Sequence, residues 1–183
     1  MQRPGTIGLE RKMVYRTRTY IAADWDGDRD AVEQLHKWND SNYWRLSFPD
    51  AHDLQQSRDS SLPCSIKSSL KKRMDGSKRF VLIVGDSTNS VTKGGCQYCE
   101  SYDSGTSSCN RLHSIDYRSY IEYECNMAVR AGIDIVVLYN SANVTRSKCP
   151  LKVRYEGNHV PMKCWDDGLL KWNYSAVKNA LQY

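Results

Sequence analysis

Apolar residues recur along this chain with two different spacings, and the alternation between the spacings predicts its architecture. Arg79-Phe80-Val81-Leu82-Ile83-Val84-Gly85 is a near-continuous apolar run. Such a run predicts a central parallel strand, because helices cover both of its faces. Residues 133–139 read the same way. Residues 17–23 predict the first strand, and residues 43–48 and 160–165 predict two weaker ones. Between these runs the period becomes helical. Ala31, Val32, Leu35 and Trp38 form one stripe, Ile66, Leu70 and Met74 a second, and Ile121, Cys125 and Ala128 a third. Pro63 suits the first turn of the second helix, and Asp75-Gly76 ends it. Asp26 or Asp28 is placed to cap the first helix and Asp116 the third, which is expected over 116–130 with a left-handed stop at Gly132. A last helix is expected over 169–181, packed through Leu169, Leu170 and Trp172.

Strands interleaved with helices predict an α/β fold: a flavodoxin-like, doubly wound sheet of five parallel strands in the order 2-1-3-4-5. Residues 15–183 read as a single domain behind a polar tail, 1–14. Residues 86–114, between the third strand and the third helix, are rich in Ser, Gly, Thr and Cys and too long for a routine connection. They read as an insert. In sheets of this kind ligands bind where the winding reverses, at the carboxyl ends of strands one and three. That rule nominates residues 23–28 and 85–88.

Composition narrows the function class. The 183 residues carry 26 basic and 21 acidic side chains, a net charge of +5. Part of that excess sits in the basic tail and part on the helix face Lys71-Lys72-Arg73, so no nucleic-acid partner is expected. No stretch approaches the roughly 20 apolar residues of a membrane span. Residues 1–14 lack the apolar run of a secretory signal, which predicts a cytoplasmic protein with reduced thiols. There are seven cysteines, of which Cys64 and Cys125 read as small core residues.

Three constellations carry candidate chemistry. Asp24, Asp26 and Asp28 follow the first strand, where Asp-x-Asp can hold Mg²⁺ and a phosphate. With Ser87 and Thr88 closing the third strand, the pattern resembles a small Mg²⁺-dependent phosphatase, but no acidic pair closes a later strand. Helix capping and nucleotide contact stay open beside that reading. In the second constellation, Tyr120 and Glu124 lie one helical turn apart on one face. Ile121 and Cys125 point to the core beside them, so Glu124 is either a partly shielded carboxylate near the rim of the sheet or an ordinary surface acid. The third is Cys96-x₂-Cys99-x₉-Cys109-x₃-His113, which has structural-zinc spacing. A loop with reduced thiols and a redox pair are its alternatives.

Tyr20-Ile21-Ala22-Ala23-Asp24-Trp25-Asp26, then Val81-Leu82-Ile83-Val84-Gly85-Asp86-Ser87-Thr88, then Tyr120-Ile121-Glu122-Tyr123-Glu124 resemble the TIR-like family. The likeness is to the TIR-like (ThsB-type) subunits of the bacterial Thoeris anti-phage system and covers about 18–139 in order and spacing. It implies cleavage of NAD at the nicotinamide–ribose bond to make an ADP-ribose-derived messenger, cyclic in some relatives, read by a separate effector protein. It implies Glu124 as the catalytic carboxylate, with Tyr120 supporting it four positions earlier. It also implies Ala23, Asp24, Trp25, Asp26, Gly85 and Ser87 as nucleotide contacts, and self-association to complete the site. The pattern departs from the family in two ways: Tyr120 stands where many relatives have Trp, and the cysteine-bearing insert is not a general feature. A non-catalytic TIR-like or flavodoxin-like module that binds protein or nucleotide is the alternative.

Overall fold

A computed structural model of the chain describes residues 17–51 and 62–182. The expected tail 1–14, and most of the expected loop between Asp50 and Ser61, lie outside the described residues. In chain order the elements are β1 (Arg18–Ala22), α1 (Arg29–Asp40), α2 (Pro63–Asp75), β2 (Ser77–Val84), a short ribbon of β3 (Tyr102–Asp103) and β4 (Ser108–Cys109), and α3 (Tyr120–Ala131). Then come β5 (Asp134–Tyr139), β6 (Asn158–Pro161), a hairpin of β7 (Lys163–Asp166) and β8 (Leu169–Trp172), and α4 (Tyr174–Leu181).

The two continuous apolar runs become β2 and β5, the middle of a sheet ordered β1-β2-β5-β6 in which every pairing is parallel. Val81 of β2 lies opposite Ile21 of β1 on one side and Val136 of β5 on the other. Side chains alternate between the faces of a strand, so each strand serves two cores. Tyr20, Ala22, Phe80 and Leu82 pack with Met74 of α2 and with Ile121, Cys125 and Ala128 of α3. Ile21, Val81, Ile83 and Leu138 pack on the opposite face with Val32, Leu35 and Trp38 of α1 and with Val177 and Leu181 of α4. Each fully buried aliphatic side chain of this kind contributes about 1.5–3 kcal/mol. Helices therefore cover both faces, and the winding reverses between β1 and β2.

Five strands were expected in this sheet, and among the described residues it has four. Residues 43–48 are not extended: Arg45 and Ser47 take φ of 47° and 54°, left-handed values that interrupt a strand. The place of that strand beside β1 is marked by one parallel bridge, Thr19 to Asp50. There Thr19 N donates to Pro49 O at 2.9 Å and Ala51 N donates to Thr19 O at 2.9 Å. The expected fifth strand divides at Met162. Residues up to Pro161 pair with β5, while Lys163–Asp166 turns away into the hairpin with β8. The start of the expected last helix is β8, where Leu169 and Leu170 stand exposed and do not pack on the sheet. A short apolar run reads equally as strand or helix, and here cross-strand pairing with Trp165 and Asp166 decides it. The helix follows, capped by Asn173, whose side chain accepts from Ala176 N.

The third helix starts four residues later than expected. Its cap is Ser119, not Asp116: Ser119 Oγ accepts from Glu122 N at 3.2 Å, and Glu122 Oε2 accepts from Ser119 N at 2.8 Å. This reciprocal pair satisfies two amides the first turn leaves open. Gly132 closes the helix at φ 58°, a conformation that costs a glycine little.

Candidate functional site at the carboxyl rim of the sheet

Residues 23–28, 85–88 and 140 converge where β1, β2 and β5 end. Asp28 precedes α1 yet makes no capping bond with its side chain. Its carboxylate turns inward and is buried. Oδ2 accepts from Thr88 Oγ1 at 3.3 Å and Oδ1 accepts from Asn140 Nδ2 at 3.0 Å. Thr88 Oγ1 in turn accepts from Gly85 N at 2.8 Å, and Asn140 N donates to Val84 O at 2.9 Å. One carboxylate thus ties three strand ends together. Burial raises its pKa above the ordinary carboxylate value, against the hydrogen bonds from Asn140 and Thr88. Asn140 Nδ2 also reaches Asp30 at 2.8 Å, and Lys163 Nζ pairs with the other Asp30 oxygen at 3.1 Å. Among the described residues, Asn140 Oδ1 is buried with no hydrogen-bond partner, an acceptor open to a further donor.

Gly85 is required at this junction by close approach. A Cβ on it would stand 1.9 Å from Asp28 Oδ1, which no real contact permits. Of the residues expected to contact a nucleotide, Ala23 and Gly85 are buried in the rim and Asp24 is half-buried. Asp26 and Ser87 are exposed, as is Trp25, whose indole is 47% accessible at the rim. Asp28, Thr88 and Asn140 complete the group. Sequence reasoning offered Asp28 as a cap, a nucleotide contact or a metal ligand but not as a buried tie between strand ends, because nothing local distinguishes an aspartate that caps from one that folds inward.

Glu124 sits on the second turn of α3, on the α2/α3 face of the sheet, against Tyr20 of β1. It is not a surface acid: the residue is 6% exposed. Tyr20 of β1, fully buried and 104 positions away, donates its phenol to Glu124 Oε1 at 2.5 Å. Burial first, and then the Glu124 carboxylate, push the Tyr20 pKa well above that of a free phenol. Tyr20 therefore stays a proton donor throughout the neutral range. Tyr120 is turned toward different neighbours. Its ring lies over Gly94, where a Cβ would come within 2.5 Å of Cδ1. Gly94 has φ 102°, so glycine is demanded twice over. Tyr120 is pushed up to about 12 by burial and by the thiols of Cys99, Cys64 and Cys96. The phenol that meets Glu124 is thus Tyr20, a residue that a helical spacing argument cannot reach.

The cysteine constellation of 96–113 lies beside Tyr120. Cys96, Cys99, Cys109 and His113 line one cavity of about 20 Å³, together with Leu62, Pro63 and Cys64 from the start of α2. That volume holds one water-sized particle and excludes a nucleotide. All seven cysteines are free thiols. Cys125 is in the core as expected, whereas Cys64 is only half-buried and faces this cavity. Among the described residues, no group of three or more His, Cys, Asp and Glu side chains is already gathered as an ion would need.

Among the described residues no helix is long and apolar enough to cross a membrane. No curated protein matches the sequence. Residues 20–93, which span most of β1, α1, α2, β2 and the first two strand ends of the rim, match the family described as Thoeris protein ThsB, TIR-like domain, and over that stretch the chain is similar to a TIR-like domain of the ThsB type.

Proposed function

We propose that the protein is a signalling enzyme of Thoeris-type anti-phage defence that cleaves NAD at the nicotinamide–ribose bond, with Glu124 as the catalytic carboxylate. The observation that carries this reading is the burial of Glu124: a carboxylate removed from water and held by the phenol of Tyr20, on the strand that runs up to the rim where doubly wound sheets take nucleotides. Departure of nicotinamide leaves an oxocarbenium-like ribose, as in glycoside hydrolysis. A carboxylate fixed in a low-dielectric setting stabilises that developing positive charge far better than one exposed to water. Tyr20 stays protonated, so it fixes the carboxylate by donating a hydrogen bond without surrendering its own proton. The rim supplies the binding elements: Trp25 a stacking surface, Asp24, Asp26 and Ser87 polar contacts for ribose and phosphates, and Gly85 a close backbone approach. Water, or a nucleophile within the nucleotide itself, then captures the ribosyl centre. The product is ADP-ribose or a cyclic isomer, a small molecule suited to carry a signal to a separate effector. Self-association belongs to the same reading.

The same burial favours a second reading, a TIR-like module that binds nucleotide or protein without turnover. A carboxylate this enclosed offers little edge to a ribose unless α3 or its neighbours shift on binding. Nicotinamide release from NAD by the purified full chain separates the two. Glu124→Gln is expected to lower the rate by on the order of 100-fold or more while leaving the melting temperature close to that of the parent. Equal rates in parent and variant would remove Glu124 from the mechanism. Saturable NAD binding without any nicotinamide release, in dilute and concentrated protein alike, would establish the second reading.

A further inference from the structure

We infer that Cys64, Cys96, Cys99 and Cys109 form a structural zinc site that pins the long β2–α3 connection to the start of α2, with Cys64 rather than His113 as the fourth ligand. The inference does not depend on the NAD reading.

The four sulfurs come from three separate pieces of chain. Cys96-Gln97-Tyr98-Cys99 forms a tight 3-10 turn, with Cys99 N donating to Cys96 O at 3.0 Å and Tyr102 N donating to Cys99 O at 3.0 Å. The β3–β4 ribbon then folds back and pairs Tyr102 with Cys109. A second turn follows at once, Leu112 N donating to Cys109 O at 2.8 Å. Two turns carrying cysteines, joined by a short ribbon, form the knuckle-and-ribbon shape in which thiolates present themselves to a tetrahedral ion. Cys64, the second residue of α2, closes the opposite wall of the same cavity.

Exposure separates Cys64 from His113. The four cysteines are all half-buried around the cavity, while His113 is exposed at its edge. The cavity of about 20 Å³ also matches a single ion and no organic ligand. The backbone turns that carry Cys96, Cys99 and Cys109 are in place around the cavity.

The surroundings suit thiolates. Asp116 N donates to Cys96 Sγ at 3.2 Å, the kind of outer contact that orients a metal-bound sulfur. Lys67, one turn after Cys64, is buried and donates to Asp116 O at 3.0 Å and Arg118 O at 2.7 Å. Four thiols binding Zn²⁺ release four protons to solvent and leave a net charge of minus two, which the Lys67 ammonium beside Cys96 partly offsets. The connection also has reason to need an ion. No residue from 96 to 118 is buried, so apolar burial cannot order it, and coordination can.

The test uses the full chain purified under reducing conditions, with zinc measured per chain and Co²⁺ then exchanged in. The expected result is about one zinc per chain and a sulfur-to-cobalt charge-transfer band of four-thiolate intensity. Cys64→Ser should lower zinc retention against a chelator by at least 10-fold and the cobalt band to three-thiolate intensity, while Cys164→Ser and His113→Ala keep both. Because Cys64→Ser could loosen the fold, the band of the unmutated chain is an independent measure. Three-thiolate intensity there, or zinc lost in His113→Ala and kept in Cys64→Ser, overturns Cys64 as ligand. Absence of both zinc and a cobalt–thiolate band in the parent chain overturns the site.

Discussion

The junction of Asp28 with Gly85 predicts a stability coupling that can be worked out before it is measured. A Cβ at residue 85 would lie 1.9 Å from Asp28 Oδ1 and 2.6 Å from its Cγ. The carboxylate must then retreat by more than an ångström, and Thr88 at 3.3 Å and Asn140 at 3.0 Å lose their acceptor. Overpacking of this kind costs about 1–3 kcal/mol, and hydrogen bonds to a charged group are worth about 1.5–3 kcal/mol each. Gly85→Ala should therefore destabilise by about 4–9 kcal/mol if both bonds are lost outright, a large share of the ~5–15 kcal/mol that holds a domain folded. If the clash with Asp28 is the cause, the same substitution in an Asp28→Ala background should cost less than about 1 kcal/mol, because the methyl group enters vacated space. The assay is urea denaturation of the four proteins of the cycle, with unchanged slopes as the check that the denatured states are alike. Equal costs for Gly85→Ala in the two backgrounds, within about 0.5 kcal/mol, would refute the reasoning and place the demand for glycine elsewhere.

Two further outcomes follow from the buried carboxylates. Tyr20→Phe removes the phenol that donates to Glu124 and should cost about 1–3 kcal/mol, read as a fall in Tm that disappears in a Glu124→Ala background; a fall of the same size in both backgrounds would count against the bond. Asp28 has its folded pKa raised, chiefly by burial, so the stability it contributes is complete below its unfolded pKa and is lost as pH rises through the folded value. Asp28→Asn, which never ionises, should therefore gain on the parent as the pH is raised from acid toward neutral, and a stability difference independent of pH would rule this out.

How far the site could be read from sequence depended on whether its residues are local to one another. The rim itself was legible: β1, β2 and the turns after them carry their own pattern, and parallel winding dictates where ligands go. The capping box at Ser119 and Glu122 was equally present in the sequence as Ser-x-x-Glu. Glu124 was nominated by its spacing from Tyr120 and by family likeness, but its burial was not legible, because Tyr20 lies 104 residues earlier. Cys64 stands 32 positions before the nearest cysteine of the connection, too far for any spacing rule. It passed for a core residue until α2 was seen to start beside the knuckle.

The sequence by itself determined the two central strands, the four helices in outline and the doubly wound topology, since continuous apolar runs and 3.6-residue stripes are properties of neighbouring residues. Tertiary structure decided the rest. At the edge of the sheet, where few ladder bonds reward an extended chain, 43–48 gave way to left-handed turns; 169–172 became a strand because 163–166 was there to pair with it. Tertiary structure also decided which polar groups leave water. Asp28, Lys67 and Glu124 are acids and a base of ordinary appearance in the chain. Each is buried because partners distant in sequence arrive to satisfy it: Asn140 and Thr88 for Asp28, two backbone carbonyls for Lys67, and Tyr20 for Glu124. Burying a charge without such partners is prohibitive, so only the assembled fold determines which charges can sit inside it.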